Sequence, residues 1–352
     1  DVSGTATFSS TTNYNYKSTG LGVNAGTDKI IKVSATGQFM IITDNHNDKL
    51  AVSKDYGNTW TVVLSNDNFY HCAISATGQY MVACADPGYL YISNNFGSSF
   101  TQTSVFGLST TQTWTSVAIS ANGQYITAVM DSTSNSGFAY VSRNYGVSFS
   151  QIQLNGTSLA CGRCAMSSDG KFQIVSIASN VTNYYLSTNY GQTFTSTTFT
   201  LNAGGAIAAP TTKWWDVAVS SSGKYMLIST YSSSSGCYYS KDYGATWSQV
   251  SGIATTYNYN SVAMSQNGQY MMFGITNANN NTLYVQNNTP GTTGQTISTY
   301  MTSTDGISSA NNFASCAISA DGNYFVALSS TTTTSNLYIV QPVKTTITNT
   351  YS

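Results

Sequence analysis

The chain reads as an all-β protein, a seven-bladed β-propeller of four-stranded antiparallel blades, and three observations point there. A Ser-x-x-Gly-x-aromatic phrase returns seven times, with its glycines at Gly37, Gly78, Gly123, Gly170, Gly223, Gly268 and Gly322. The interval, 41 to 54 residues, suits one unit of four short strands per repeat. Seven such units can close into a ring, which removes the exposed edges that an open stack would leave.

Residues 114–150 show how one unit is built. Val117-Ala-Ile-Ser120 is a short strand that runs into a turn at Gly123, where a residue without Cβ tolerates positive φ. Gln124–Met130 returns as a second strand rich in β-formers, and a polar loop from Asp131 to Gly137 leads to a third strand at Phe138–Ser142. A second tight turn, Arg143-Asn-Tyr-Gly146, launches the fourth strand at Ser148-Phe149. Repeats of this kind cover about 30–64, 70–104, 114–153, 161–200, 214–251, 259–299 and 313–350, so residues 1–352 are read as one domain. The last repeat lacks an outer strand of its own pattern. Gly4-Thr-Ala-Thr7-Phe8 matches the tail of the second turn, so residues 4–10 are expected to supply that strand and lock first blade to last. The competing source is Lys344–Asn349.

The second turns carry a family resemblance. Ser53-Lys-Asp55-Tyr-Gly57-Asn-Thr59-Trp60 and Ser240-Lys-Asp242-Tyr-Gly244-Ala-Thr246-Trp247 resemble the Asp boxes of sialidase-like propellers. Relaxed copies contain Asn95, Gly97 and Phe100; Asn144, Gly146 and Phe149; and Asn189, Gly191 and Phe194. A sixth copy near Asn287 is degenerate, and the seventh repeat has Gln341-Pro342 at that place. In such a hairpin the Asp or Asn oxygen accepts N–H bonds within the turn, and the aromatic packs between layers. Calcium fits poorly, because three of the five good copies carry Asn and none gathers the carboxylates a hard cation needs. The resemblance also extends to uncharacterised repeat proteins of large DNA viruses and phages.

Composition narrows the functions. Charged residues make up 7% of the chain, the net charge is −1, glutamate is absent, and Arg143 and Arg163 are the only arginines. A nucleic-acid partner would require a basic surface, and membrane insertion would require an apolar span; neither is visible. Sialidases clamp their substrate with three arginines and use a tyrosine paired with glutamate, and this chain cannot assemble that machinery. Other glycosidases need two suitably spaced carboxyl groups. Asp44, Asp48, Asp86, Asp131 and Asp216 lie on the loop-bearing face, but nothing in the sequence pairs them. The chain is therefore expected not to be an enzyme and to use no cofactor or metal.

The six cysteines read mainly as small buried residues. Cys72, Cys164 and Cys316 occupy the repeat position of Val33, Val117, Val217 and Val262. Cys161 and Cys164 are expected on opposite faces of an extended strand. Cys72 and Cys84 could meet diagonally across one hairpin.

Both short turns of every blade share one face, which leaves the other face to the variable loops: Asp44–Asp48, Ala85–Tyr89, Ser132–Gly137, Ser179–Asn183, Ser232–Gly236, Asn277–Asn281 and Ser330–Ser335. The long connections Leu201–Trp215 and Ser298–Phe313 join them, and binding is expected on this face. Phe69, Trp114, Trp214, Tyr259 and Phe313 recur in register, which argues for packing between blades. Trp215 and Tyr257 break that register and are read as exposed rings able to grip a sugar. Lys32, His71, Ser116, Arg163, Asp216, Ser261 and Ser315, read as equivalent positions, would form either a polar ring at the channel mouth or solvated strand ends.

The leading expectation is a non-catalytic propeller, outside the cell or on a virion surface, that binds glycans or a surface protein. The alternative is a structural subunit of a capsid decoration, fibre or filament that binds copies of itself, since low charge reduces repulsion between copies. An assembly-factor propeller, as in photosynthetic organisms, would normally show a basic patch. The sequons at Asn155, Asn180, Asn280 and Asn287 are no more than an Asn-, Ser- and Thr-rich chain gives by chance.

Overall fold

The structure is a computed structural model that describes residues 15–17, 29–103, 105, 111–131, 137–154, 160–178, 182–202, 213–230, 236–253, 257–275, 283–287, 296–300, 312–330 and 335–340. These form seven four-stranded antiparallel sheets, six of them continuous in sequence order. The innermost strands are Lys29–Val33, Phe69–Ile74, Trp114–Ile119, Cys161–Met166, Trp214–Val219, Tyr259–Met264 and Asn312–Ile318, in blades 1 to 7. Each packs beside the next, and blade 7 meets blade 1.

The seventh blade is completed by the N-terminal part of the chain. Asn15–Lys17 pairs antiparallel with Ser335–Val340 through Asn15↔Ile339 and Lys17↔Leu337. The outer strand thus comes from residues 15–17; both 4–10 and Lys344–Asn349 lie outside the described residues.

Two devices tie blade to blade on the turn face. The first is a closed circle of main-chain hydrogen bonds just beyond the turn serines. Ala35 N–H donates to Ala76 O, Ala76 to Ala121, Ala121 to Ser168, Ser168 to Ser221, Ser221 to Gln266, Gln266 to Ala320, and Ala320 back to Ala35, over 2.7–3.2 Å. The second explains the repeated glycine. All seven take positive φ, and the ring of the preceding blade's turn aromatic lies over each one. A Cβ added at Gly123 would sit 2.4 Å from the Tyr80 ring, and one at Gly37 would sit 2.5 Å from Tyr324. Glycine is needed there for conformation and for close approach together.

Within each first turn the serine hydroxyl holds the loop: Ser120 Oγ accepts the Tyr125 N–H at 2.9 Å, and Ser75 Oγ accepts that of Tyr80 at 3.0 Å. The second turns form the expected side-chain network. Asp55 Oδ1 accepts the Thr59 N–H (2.8 Å), Asp55 Oδ2 accepts the Thr59 hydroxyl (2.7 Å), and Ser53 Oγ accepts the Gly57 N–H (2.9 Å). Asparagine preserves this with one polarity reversed: Asn95 Oδ1 accepts the Ser99 N–H, while Asn95 Nδ2 donates to Ser99 Oγ at 2.9 Å. Burial alone would raise the Asp55 and Asp242 carboxyls, but bonds from Thr59 and Thr246 hold both below the usual range.

The core lies between neighbouring sheets. Phe69, Trp114, Trp214, Tyr259 and Phe313 are all buried there, as their shared register implies. In blades 2 to 7 the inner strand carries a bulge that sets this aromatic position on the same side as the repeated Val or Cys. That corrects one expectation: Cys161 and Cys164 do not face apart but join one apolar cluster, because the register shifts between them. All six cysteines are free and buried, Cys72 and Cys84 included. Burial pushes the thiols of Cys72, Cys161, Cys164 and Cys316 up to about 12, so they act as small hydrophobes.

Candidate functional site

The inner strands surround an axial channel, and their residues are best placed by counting back from each turn serine. Three residues before it stand Ile31, Cys72, Val117, Cys164, Val217, Val262 and Cys316. The blade 1 member is Ile31 rather than Val33, as the pairs Ile31↔Ile42 and Cys72↔Ala83 show. Four residues before the serine stand Ile30, His71, Ser116, Arg163, Asp216, Ser261 and Ser315. Lys32 therefore does not belong to this polar set; it lies two residues further on. A shift of two keeps a side chain on the same strand face, so alternation alone could not expose the misalignment.

The polar set is neither a row of solvated strand ends nor an open ring. His71, Ser116, Arg163, Asp216, Ser261 and Ser315 are all buried. Most accept a main-chain N–H from the next blade's inner strand. Ser116 Oγ takes the Cys164 N–H (3.1 Å), Ser261 Oγ that of Cys316 (3.1 Å), and Ser315 Oγ that of Ile31 (3.1 Å). His71 Nδ1 takes the Val117 N–H (3.3 Å), and Asp216 Oδ2 takes the Val262 N–H (2.9 Å). Arginine cannot accept, so in blade 5 the Val217 N–H turns to Asp216 Oδ1 (2.9 Å). Burial, then Arg163 and Lys32, push the His71 imidazole well below its ordinary range. It stays neutral, and the accepting Nδ1 leaves its proton on Nε2.

Arg163 is the unusual member. It donates through Nη1 to the Thr115 carbonyl of blade 3, and its guanidinium lies 5.0 Å from the Tyr70 ring centroid and 6.0 Å from that of Trp215. Blades 2, 3, 4 and 5 thus meet at one cation near the loop-face end of the inner strands. Trp215 is half-buried in this stack rather than freely exposed. Tyr257 is likewise half-buried, packed against the cluster of Val262 and Phe273. Tyr70 was not anticipated; the signal available was a second aromatic directly after the recurring Phe69.

Below this stack the channel holds a cavity of about 190 Å3, lined by Lys32, His71, Asp216 and apolar inner-strand residues. Two residues before each turn serine, blades 2 to 7 place Ala73, Ala118, Ala165, Ala218, Ala263 and Ala317. Blade 1 places Lys32 there.

Two of the loop-face aspartates are already engaged. Asp44 is consumed by an ion pair with Lys29 (3.1 Å), both fully buried, and by Asn47, whose Nδ2 donates at 2.7 Å. Asp216 holds two N–H groups. Burial, with Asp131 nearby, raises the Asp86 carboxyl. The second arginine, Arg143, sits on the turn face and donates to the carbonyls of Tyr190 (3.2 Å) and Gly191 (2.6 Å). Among the described residues no group of three or more His, Cys, Asp or Glu is placed to hold a metal. Among the described residues no helix is long and apolar enough to cross a membrane.

The turn face is not bare. Tyr56, Phe96, Tyr145 and Tyr243 expose about two-fifths of their surface, and with Tyr190 all adopt positive φ near 60°. Each stacks on the preceding blade's turn aromatic, as in Phe39–Phe96 at 5.1 Å and Tyr80–Tyr145 at 5.1 Å between centroids. Of the loop-face segments, 132–136, 179–181, 231–235, 276–282 and 331–334 lie outside the described residues, as do 203–212 and 301–311 within the two long connections.

The chain matches no protein-family model and no curated protein. Among solved structures it is similar to one described as YCF48 bound to D1 peptide, with TM-score 0.65 and 10% identity over 95% of this chain and 96% of that one. It is also similar to U3-55K, with TM-score 0.69 and 10% identity over 95% of this chain and 100% of the other. At such identity the likeness shows the fold alone. The protein is a seven-bladed β-propeller.

Proposed function

We propose that this chain is a non-catalytic binding propeller whose partner, a protein or a glycan, docks on the loop face around Tyr70, Arg163 and Trp215. The supporting observation is their convergence. Three side chains from blades 2, 4 and 5 form a cation held beside two half-buried aromatic rings. Such a group offers apolar area, π faces and spare N–H donors in one place. A propeller of similar fold is described as bound to a peptide, which is in keeping with a protein partner. The absence of glutamate and the engagement of both arginines with main-chain carbonyls argue against sialidase-type catalysis. The Asp-box resemblance belongs to this reading, and the low charge suits an extracellular or virion surface.

The test is a glycan array and a displayed-peptide library screened against the wild type and against Tyr70→Ala with Trp215→Ala. Binding that falls at least tenfold in the double variant, whose folding is checked by circular dichroism, supports the reading. Ligands bound equally by both proteins would refute the assigned surface. A second reading, self-association through the turn face, is favoured by the exposed Tyr56, Phe96, Tyr145 and Tyr243. Light scattering at rising concentration would then show growth that Tyr145→Ser suppresses.

A further inference from the structure

Lys32 breaks a rule that the other six blades keep. The position two residues before the turn serine faces the next blade's inner strand and the channel, and alanine fills it everywhere else. An ammonium on a long stem stands where the other blades carry a methyl group. Among the described residues the Lys32 ammonium makes no side-chain hydrogen bond, and no carboxylate oxygen lies within 4.0 Å of its nitrogen. A cation in a cavity with apolar walls loses hydration and gains when an anion joins it.

The surroundings do not supply that anion. The cavity is lined otherwise by Val33, Ile74, Ile119, Met166, Val219 and similar side chains. Its one carboxylate, Asp216, already accepts the Val217 and Val262 N–H groups through its two oxygens, both at 2.9 Å. His71 is neutral. Arg163 stands at the loop-face end and, with Lys32, acts on the same His71 and Cys164 side chains. Two cations and one carboxylate thus share the channel, leaving one positive charge in excess.

We propose that the axial channel is an oxyanion site in which Lys32 is the charged ligand group, with Arg163 adding field from the loop-face end. The cavity, about 190 Å3, has room for a carboxylate or a phosphate group. The oxyanion is either free in solution or an acidic group projecting from a partner docked at the Tyr70–Arg163–Trp215 mouth. The site deepens the binding reading but stands without it, because the isolated protein can be titrated with inorganic anions and no partner.

The experiment compares wild type with Lys32→Ala, which restores the residue of the other six blades, and with Lys32→Gln, which keeps length and polarity but not charge. Isothermal titration at fixed ionic strength, with chloride as the balancing salt, uses inorganic phosphate in one arm and acetate in the other. The expected result is saturable one-to-one binding of at least one anion to wild type, weakened at least tenfold in both variants. Saturation by acetate alone marks a carboxylate site, and saturation by phosphate alone marks a phosphate site. Absence of saturable binding, or equal affinity in wild type and variants, would overturn the proposal. Loss of partner binding in the Tyr70→Ala, Trp215→Ala variant with anion binding retained would separate the two readings.

Discussion

The turn face and the axial channel are built from the same seven repeats, yet one is uniform and the other is not. On the turn face every blade repeats a glycine, an overlying ring and a link in the circle of peptide hydrogen bonds. In the channel the repeated position holds serine three times, then isoleucine, histidine, arginine and aspartate once each, and the alanine row is interrupted by Lys32. A closed ring needs its blade-to-blade links to be alike, because any misfit accumulates around the circle. The channel carries no such demand once the links are made. Chemical individuality therefore collects where closure does not depend on it.

Breaking the comparison should hurt most where an individual feature is both charged and buried. Lys29→Met would leave Asp44 unpaired at a site with no exposure, and about 4 kcal/mol of stability should be lost, measured by denaturant unfolding. Next comes the uniform device itself. Gly123→Ala forces a Cβ against the Tyr80 ring at φ +82°, and should cost about 3 kcal/mol. Ser116→Ala removes the acceptor of a buried N–H, that of Cys164, and should cost about 2 kcal/mol in the same assay.

The smallest effect sharpens the comparison through pH. The folded His71 imidazole is held neutral, whereas the unfolded residue takes up a proton near its ordinary value of about 6.5. The unfolded state then binds more protons, so this contribution is full above about pH 6.5 and declines as pH falls below it. His71→Ser, which installs the acceptor used by three other blades, should flatten that part of the melting-temperature profile. An unchanged slope would show that His71 titrates normally in the folded protein.

Periodic features were legible because each is local. The Ser-x-x-Gly-x-aromatic turn, the hairpin around Asp55 and the strand alternation all declare themselves within a dozen residues, and their count gave the ring. The register of blade 1 was not legible. Val33 and Ile31 both suit a buried strand, and only the pairing Ile31↔Ile42 separates them. The bulges were equally hidden, since an extra residue in an inner strand leaves no composition signal, yet it turned Cys161 and Cys164 to one side. Tyr70, Arg163 and Trp215 came together because blades 2, 4 and 5 converge on the axis, although the first and last are 145 positions apart in the chain.

By itself the sequence determined the repeating unit, the number of blades and the all-β class, because these follow from short-range patterns of side-chain polarity and turn chemistry. Tertiary structure alone decided which terminal residues finish the seventh blade, which polar groups are spent on neighbouring main chain, and that Lys32 faces the axial channel. Those outcomes depend on distances between residues far apart in the chain, and closure of the ring sets those distances all at once.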